Sequence, residues 1–293
     1  KNLDFIKGLT KLNYLNVSNT SIRNLKNLQN LSRLSKLDLT NTLTDDLLPI
    51  SELFELHTLL LAKTGIREIK ALSELNSIQK LSLHQTEIRD IHPLKNLRNL
   101  EELSLRNTKL RDLSPLSGLL KLKWLDLRNT FVFDLRGLYH LSNLKTLYIG
   151  NNPTYHNERK IASLQPLEHL FQLESLAILN TDVIDIDILT NFSNLKKLYL
   201  PHNKYILDYS VIENLTNLET LSLFHASLED IEFVSPLIKL KTIYLGRNSI
   251  KNLEPLQSLT NIRKISLQYT DIDDMSLVYL NKKAVYLDLQ GTN

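Results

Sequence analysis

Across residues 88–105 apolar side chains fall at Ile88, Ile91, Leu94, Leu97, Leu100 and Leu103, three apart, and then at Leu105 after a step of two. An amphipathic α-helix places them at i, i+3, i+4 and i+7, and a half-buried strand at every second residue; neither gives this order. The same order recurs along the chain. Aligned on the step L-x-x-L-x-L, units begin at Leu12, Leu34, Leu56, Ile78, Leu100, Leu122, Leu144, Leu173, Leu195, Leu218, Leu240 and Ile262, with a partial copy from Ala284. Most starts are 22 residues apart; the unit at 144–172 has 29 residues and that at 195–217 has 23. Residues 1–11 carry Leu3, Ile6 and Leu9 in register with the back half of an earlier copy. Self-similarity at such an interval marks a solenoid, in which no unit can bury its apolar row alone and stacked units share one core.

The two step sizes assign the elements. With the first residue of each unit as position 1, the step of two (positions 4 and 6) is a short strand with both side chains on one face. The steps of three form the return path, as 3₁₀ turns in which residues i and i+3 eclipse. Thirteen parallel strands result. Position 9 carries Thr20, Thr42, Thr64, Thr86, Thr108, Thr130, Asn152, Thr181, Asn203, Asn248, Thr270 and Thr292. A buried turn leaves backbone groups that a polar side chain in register can satisfy, Asn more of them than Thr. Ala226 interrupts this ladder, so water or a neighbouring unit must compensate there. Pro93, Pro115, Pro166, Pro236 and Pro255 are read as one return-path position, where a fixed φ and a missing N–H suit a turn.

The unit L-x-x-L-x-L-x-x-(T/N)-x-(I/L) is similar to the leucine-rich repeat, over all 293 residues. The segments IRDIHPL, LRDLSPL and IKNLEPL resemble the short repeats of bacterial internalins, which favour I-x-D-I-x-P-L. The 22-residue length is shared with the phosphatase-regulator subclass of intracellular repeat proteins. The resemblance implies an α/β repeat solenoid, a horseshoe or arc with a parallel β-sheet on its concave face and short 3₁₀ or helical turns on its convex face. It implies one leucine-rich-repeat domain over 1–293: a partial repeat at 1–11, twelve repeats over 12–283 and a partial repeat at 284–293.

Composition bounds the rest. Apolar residues make up 42% of the chain and the formal net charge is +3, with both signs interspersed; a nucleic-acid binder would show a concentrated basic stripe. No run of eighteen apolar residues is available to span a membrane. The absence of cysteine excludes disulfides and thiol chemistry. There is no phosphate-binding glycine loop, no nucleophile elbow and no metal-ligand spacing, so no cofactor is implied. Both ends enter mid-unit, which predicts that the natural protein continues on at least one side.

Positions 3, 5 and 7 point away from the buried row and are free to vary. They carry Arg106, Trp124, Arg128, Tyr148, Leu179, Tyr199, Phe224 and Tyr244, with His202, His225 and Tyr269 at position 8. Exposed aromatics beside Arg are what interface anchors look like, although strand propensity and cross-strand packing also place aromatics on sheets. Arg106 and Arg128, flanked by Glu102 and Asp126, read either as a carboxylate clamp or as a surface ion-pair ladder. His202 and His225 read as a solvated pair, or as a pH-sensitive element. The long unit inserts PTYHNERK at 153–160, a loop on the rim whose Tyr155, His156 and Arg159 could overhang the aromatic patch.

These features, with the resemblance, predict a non-enzymatic protein–protein interaction module that binds a host or self protein on its concave face, without nucleic acid or membrane insertion. The alternatives are an intracellular sensor or scaffold segment of a larger protein, and a substrate-presenting repeat domain of a bacterial effector enzyme. The resemblance points to the bacterial surface or secretion, with the cytoplasm as the alternative.

Overall fold

Strands at positions 3–5 of a repeat, extended to position 7 in two of them, pair in parallel with the same positions of the next, so within each compact unit the sheet grows by one strand per repeat. The computed structural model describes residues 3–155, 159–272 and 285–292. Its contacts divide the chain into two units, Lys1–Leu144 and Lys145–Asn293. In the first, β1 (Tyr14–Asn16), β2 (Lys36–Asp38), β3 (Thr58–Leu60), β4 (Lys80–Ser82), β5 (Glu102–Ser104) and β6 (Trp124–Asp126) follow in chain order. Their register places Leu15 against Leu37, Leu37 against Leu59, Leu59 against Leu81, Leu81 against Leu103 and Leu103 against Leu125. In the second, β7 (Thr146–Gly150), β8 (Ser175–Leu179), β9 (Lys197–Tyr199), β10 (Thr220–Ser222), β11 (Thr242–Tyr244), β12 (Lys264–Ser266) and β13 (Tyr286–Asp288) do the same. This is the leucine-rich-repeat solenoid arrangement.

The ladder outlasts the strands. Position 6 and position 8 N–H groups donate to the carbonyls of positions 5 and 7 in the next repeat: Leu39 to Leu60 at 2.8 Å, Asn41 to Ala62 at 2.8 Å, His202 to Phe224 at 3.0 Å. Between strands the chain returns through 3₁₀ turns such as His92–Leu94, Ser114–Leu116 and Glu232–Val234. Each closes with i+3 hydrogen bonds, for instance Leu94 N–H to Ile91 O at 2.9 Å and Leu97 N–H to Leu94 O at 2.9 Å. The period of three is therefore the 3₁₀ period itself, and it aims Ile91, Leu94, Leu97 and Leu100 into the core, where all are sealed from solvent. Phe192, also fully buried, takes the place of a leucine in that row.

The prolines require a correction. Pro49, Pro93, Pro115, Pro166 and Pro255 share the opening of a 3₁₀ turn, where the ring presets φ and no N–H is needed. Pro236 lies beyond the turn Glu232–Val234 and serves a different position; the shared site belongs to Pro49 instead. Two residues ahead of most turns sits an Asp or Asn whose side chain accepts the N–H of the turn's first residue. Asp90 caps His92, Asp112 caps Ser114 and Asp208 caps Ser210, each at 2.8 Å, and Asp134 caps Arg136 at 2.9 Å. These are Asx turns, and they are the physical content of the Asp in I-x-D-I-x-P-L.

Position 9 behaves as the polar ladder requires. Thr42, Thr64, Thr86, Thr108 and Thr130 are buried, and each hydroxyl donates to the carbonyl three residues earlier at 2.7–2.8 Å. Asn248 reaches further. Its amide nitrogen donates to Leu223 O at 2.8 Å and Leu245 O at 2.7 Å. Its carbonyl accepts from the N–H groups of Ala226 at 2.9 Å and Leu228 at 3.1 Å. The gap in the ladder at Ala226 is thus closed from the next repeat. Asn203 does likewise for Thr181 and Ile178 O. The long unit departs from expectation: Asn151 is buried and Asn152 is exposed. Gly150 there takes a φ of 85°, turning the chain one residue early. A Cβ on Gly150 would fall 2.1 Å from Leu179 O, so only glycine fits.

Two outcomes follow from this scaffold. Asn248→Ala should cost more than about 2 kcal/mol, because two buried N–H groups and two carbonyls lose their partner. Thr64→Ala, which removes one hydroxyl donor, should cost about 1 kcal/mol; urea melts of the two variants check the ranking. Asp90, Asp112 and Asp208 titrate below the ordinary carboxylate value, first because of the backbone N–H each accepts, and Asp134 first because of the Arg136 guanidinium. Depressed folded values mean that this stability is present above the unfolded pKa and is lost as pH falls through the folded one. Thermal midpoints should therefore drop on acidification below about pH 4. Asp112→Asn, which keeps the acceptor without the charge, should make the drop shallower.

Candidate functional site

Side chains at positions 3, 5 and 7 stand on the strand face, and position 8 forms the edge where the strand turns away. In the unit 1–144 this face is polar. Arg128 lies over Asp126 in a two-pronged contact, Nη2 to Oδ2 at 2.6 Å and Nε to Oδ1 at 2.9 Å, and Asp126 is buried. Lys80 pairs with Glu102 at 2.5 Å. The ion-pair reading of this region therefore holds for Arg128, whose guanidinium is already occupied by its neighbour's carboxylate. Arg106 is exposed and Trp124 half-buried. His84, half-buried beside Lys63 and Arg106, is held below the usual imidazole range, chiefly by burial.

In the unit 145–293 the face changes character. Register aligns the position-5 residues into one row: Tyr148, Ala177, Tyr199, Ser222, Tyr244, Ser266 and Asp288. Tyrosine alternates with a small residue, so successive rings stand two strands apart, about 9.6 Å. Each ring is half-buried, while Ala177, Ser222 and Ser266 beneath are buried. The Tyr148 hydroxyl lies 3.4 Å from Ser175 Oγ. Tyr199 is held above the ordinary phenol value, first by burial and then by Tyr148 and Tyr244. Leu179 and Phe224, at position 7, are half-buried. A Cβ on Gly246 would come within 3.2 Å of the Phe224 ring; the glycine leaves room for that ring against the next strand. A shallow depression of about 480 Å³ is lined by Tyr199, Phe224, Tyr244, Lys264, Tyr286 and their neighbours. The Lys264 ammonium sits 5.1 Å over the Tyr244 ring and 4.3 Å over the Tyr286 ring.

Position 8 holds a feature that the apolar periodicity does not show. Its backbone is left-handed, with φ of 57° at Asn19, 55° at Asn41, 54° at Asn107, 56° at Asn129 and 47° at Asn180. Asn tolerates this region, and other side chains cost about 1–2 kcal/mol there. Lys63 and Gln85 are exceptions in the first unit. From β9 to β12 the position is filled by His202, His225, Arg247 and Tyr269, with φ of 62°, 54°, 58° and 52°. These side chains lie close to one another and to Phe224. His202 lies 4.9 Å from His225 and 5.5 Å from Phe224, ring centre to ring centre. The Arg247 guanidinium is 5.9 Å from the Phe224 ring and 5.2 Å from the Tyr269 ring. Tyr269 in turn lies over Gly291, where a Cβ would fall 2.4 Å from the ring. His202 is held below the usual imidazole range by burial first, then by His225 and Arg247. Arg247, Lys264 and Tyr286 were not singled out by the sequence pattern. The recurrence of Asn and Gly at position 8 was the available signal of a left-handed site, against which four consecutive departures stand out.

The inserted loop leaves this same edge. Tyr155 is half-buried and its N–H donates to Asn152 O at 2.8 Å; Arg159 is exposed. Lys160 Nζ reaches Asn180 Oδ1 at 3.0 Å, so the loop returns beside position 8 of the next repeat. His156 lies outside the described residues. Among the described residues no group of three or more His, Cys, Asp or Glu is placed to hold a metal ion, and no helix is long and apolar enough to cross a membrane.

Comparisons with known proteins agree with this architecture. The family model described as leucine-rich repeats, in two copies, matches residues 76–118. The structure is similar to that of an internalin from Listeria monocytogenes, with a TM-score of 0.87 and 28% identity, over 97% of this chain and 82% of that one. Internalin C2 of the same organism is 32% identical over 66% of this chain and 82% of its own, with a TM-score of 0.61. A leucine-rich repeat protein of Leptospira interrogans shares the fold, with a TM-score of 0.86 at 22% identity over 99% of this chain and 75% of that one. No curated protein matches the chain at a significant level. Leucine-rich repeats are general protein–protein interaction modules, because stacked repeats present an extended surface whose side chains vary independently of the core. By its 22-residue units, its register of parallel strands and its Asx-capped 3₁₀ turns, this chain belongs to the leucine-rich repeat family, in its internalin-like form.

Proposed function

We propose that the chain is a non-enzymatic binding module that holds a protein ligand against the strand face of residues 145–293. One observation carries this reading: the alternation of tyrosine with Ala or Ser along the position-5 row. Had the rings served only to stabilise the sheet, adjacent strands would pair ring against ring. Here each of Tyr148, Tyr199 and Tyr244 is separated from the next by a strand bearing a small residue. The result is a set of half-exposed platforms with shallow troughs between them. Such rings bring large contact area with few rotatable bonds and a polar tip, the properties of interface anchors. Phe224, accommodated by Gly246, and Leu179 extend the apolar surface towards the edge. The module reading also fits the face's regularity: its polar groups repeat along the sheet and do not converge on a reacting atom, as catalysis requires.

A ligand captured by chemical cross-linking to the parent protein supplies the test. Tyr199→Glu combined with Phe224→Glu should weaken its binding at least tenfold, about 1.4 kcal/mol or more, with the circular dichroism spectrum unchanged. Affinity equal to the parent's would overturn the assignment of this face.

A further inference from the structure

The edge at position 8 differs from the edge at position 2 in one respect that bears on the ligand. At position 2 the charges from Lys145 to Lys241 alternate and pair across repeats: Lys145 and Lys196 both reach Glu174, at 3.2 and 2.8 Å, and Lys241 reaches Glu219 at 2.7 Å. At position 8 the run His202, His225, Arg247 carries no opposite sign. Among the described residues no carboxylate pairs with any of the three. Among the described residues the Arg247 guanidinium lies against the faces of Phe224 and Tyr269. A guanidinium laid between aromatic rings keeps its donors in one plane, free for a bidentate acceptor. These residues also occupy left-handed backbone where the first unit mostly places Asn, so local stability does not explain them; strained residues cluster where function requires a particular side chain.

We propose that this edge recognises an acidic segment of the protein ligand, with Arg247 as the fork for a carboxylate and His202 and His225 as a pair that tightens the grip as pH falls. The inference rests on the protein-binding reading above and names the chemistry of the partner. The acid is a peptide carboxylate, not a nucleic-acid phosphate. One guanidinium and two imidazoles span only about 10 Å of edge, without the lysine and arginine stripe that a phosphate backbone selects. The rings of Phe224 and Tyr269 on either side of Arg247 suit a segment in which acidic residues alternate with apolar ones.

The sign of the pH effect follows from the surroundings. The charged and titratable groups bearing on His202 are His225 and Arg247. On the preceding repeat, Lys160 is bonded to Asn180 and stands 4.0 Å from Asp182. In the free protein burial first, and then the neighbours His225 and Arg247, disfavour the charged imidazole, so His202 gains its proton only below the usual imidazole range. A ligand carboxylate reverses that balance and binding takes up protons. Affinity therefore rises on acidification until the ligand's own carboxylates protonate, near pH 4 in order of magnitude.

Fluorescence anisotropy with a labelled peptide of roughly twelve residues, alternating Glu with Tyr and Ser, tests this at about pH 7.5 and about pH 5.5 and constant ionic strength, where Glu stays ionised. The Glu peptide should bind about three- to tenfold tighter at the lower pH. Its Gln counterpart should bind at least tenfold more weakly, with no pH dependence. Arg247→Gln should lose about tenfold at both pH values. The double variant His202→Asn with His225→Asn should keep its affinity at the higher pH and lose the gain at the lower. Asn suits the left-handed backbone, so this variant folds. Equal binding of the Glu and Gln peptides, a pH effect that survives in the double variant, or tighter binding of a single-stranded oligonucleotide would each overturn the proposal. Should the Arg247 and histidine variants hold the cross-linked ligand as the parent does while the Tyr199 and Phe224 variant loses it, the aromatic face stands and the acidic-segment inference falls.

Discussion

A single turn of this chain has an apolar row and nothing of its own to cover it. The structure depends on the way neighbouring turns solve that problem for one another. Leucines at positions 1, 4 and 6 and the eclipsed row of the 3₁₀ turns bury themselves only because the next repeat lies in the same register. That register is set by backbone hydrogen bonds running from position 2 to position 8. Hydrophobic burial supplies the attraction, and the ladder supplies the spacing. The spacing then dictates the interior: a coil this narrow leaves room for one side chain per position, which is why nearly all core residues are Leu or Ile and why Phe192 is an exception.

Backbone polar groups impose the second condition. A tight coil turns its carbonyls and N–H groups inward, and burying them unpaired would cancel the gain from the leucines. The chain meets this with Thr at most ninth positions, with Asn203 and Asn248 at two more and Asn151 in the long unit, and with an Asx cap ahead of most 3₁₀ turns. Asn203 and Asn248 bind the repeat before them as well as their own. The Ala226 unit, which has no polar side chain at its ninth position, is tied in by its successor. Among the described residues no buried side-chain polar atom lacks a partner.

With the interior fixed in this way, the strand face and its edges are released for function. The face of the unit 145–293 shows how that freedom is used. Small residues at alternate strands, and glycines at Gly246 and Gly291, make space for rings that would otherwise crowd. The edge beside them accepts His, Arg and Tyr in a backbone conformation that favours Asn. Position 2, by contrast, pairs Lys145, Lys196 and Lys241 with Glu174 and Glu219. The same repeat thus gives one edge of paired lysines and carboxylates and one edge whose charges are left for a ligand.

The periodicity of the sequence determined the strand positions, the 3₁₀ return path, the polar ninth position and the need for compensation at Ala226. Each of these is local or repeats at a fixed interval, so it is written at a countable position. The row of tyrosines was also countable. What the tertiary structure decided lay in departures too small for an apolar period to reveal. Gly150 turns one residue early and so buries Asn151 in place of Asn152, and Pro236 sits beyond the turn that Pro49 opens. The packing of Phe224 against Gly246 and the seating of Arg247 between two rings involve residues 22 or more apart in the chain. Apolar spacing fixes which residues face inward; where an outward side chain comes to rest is set by the repeat stacked beside it.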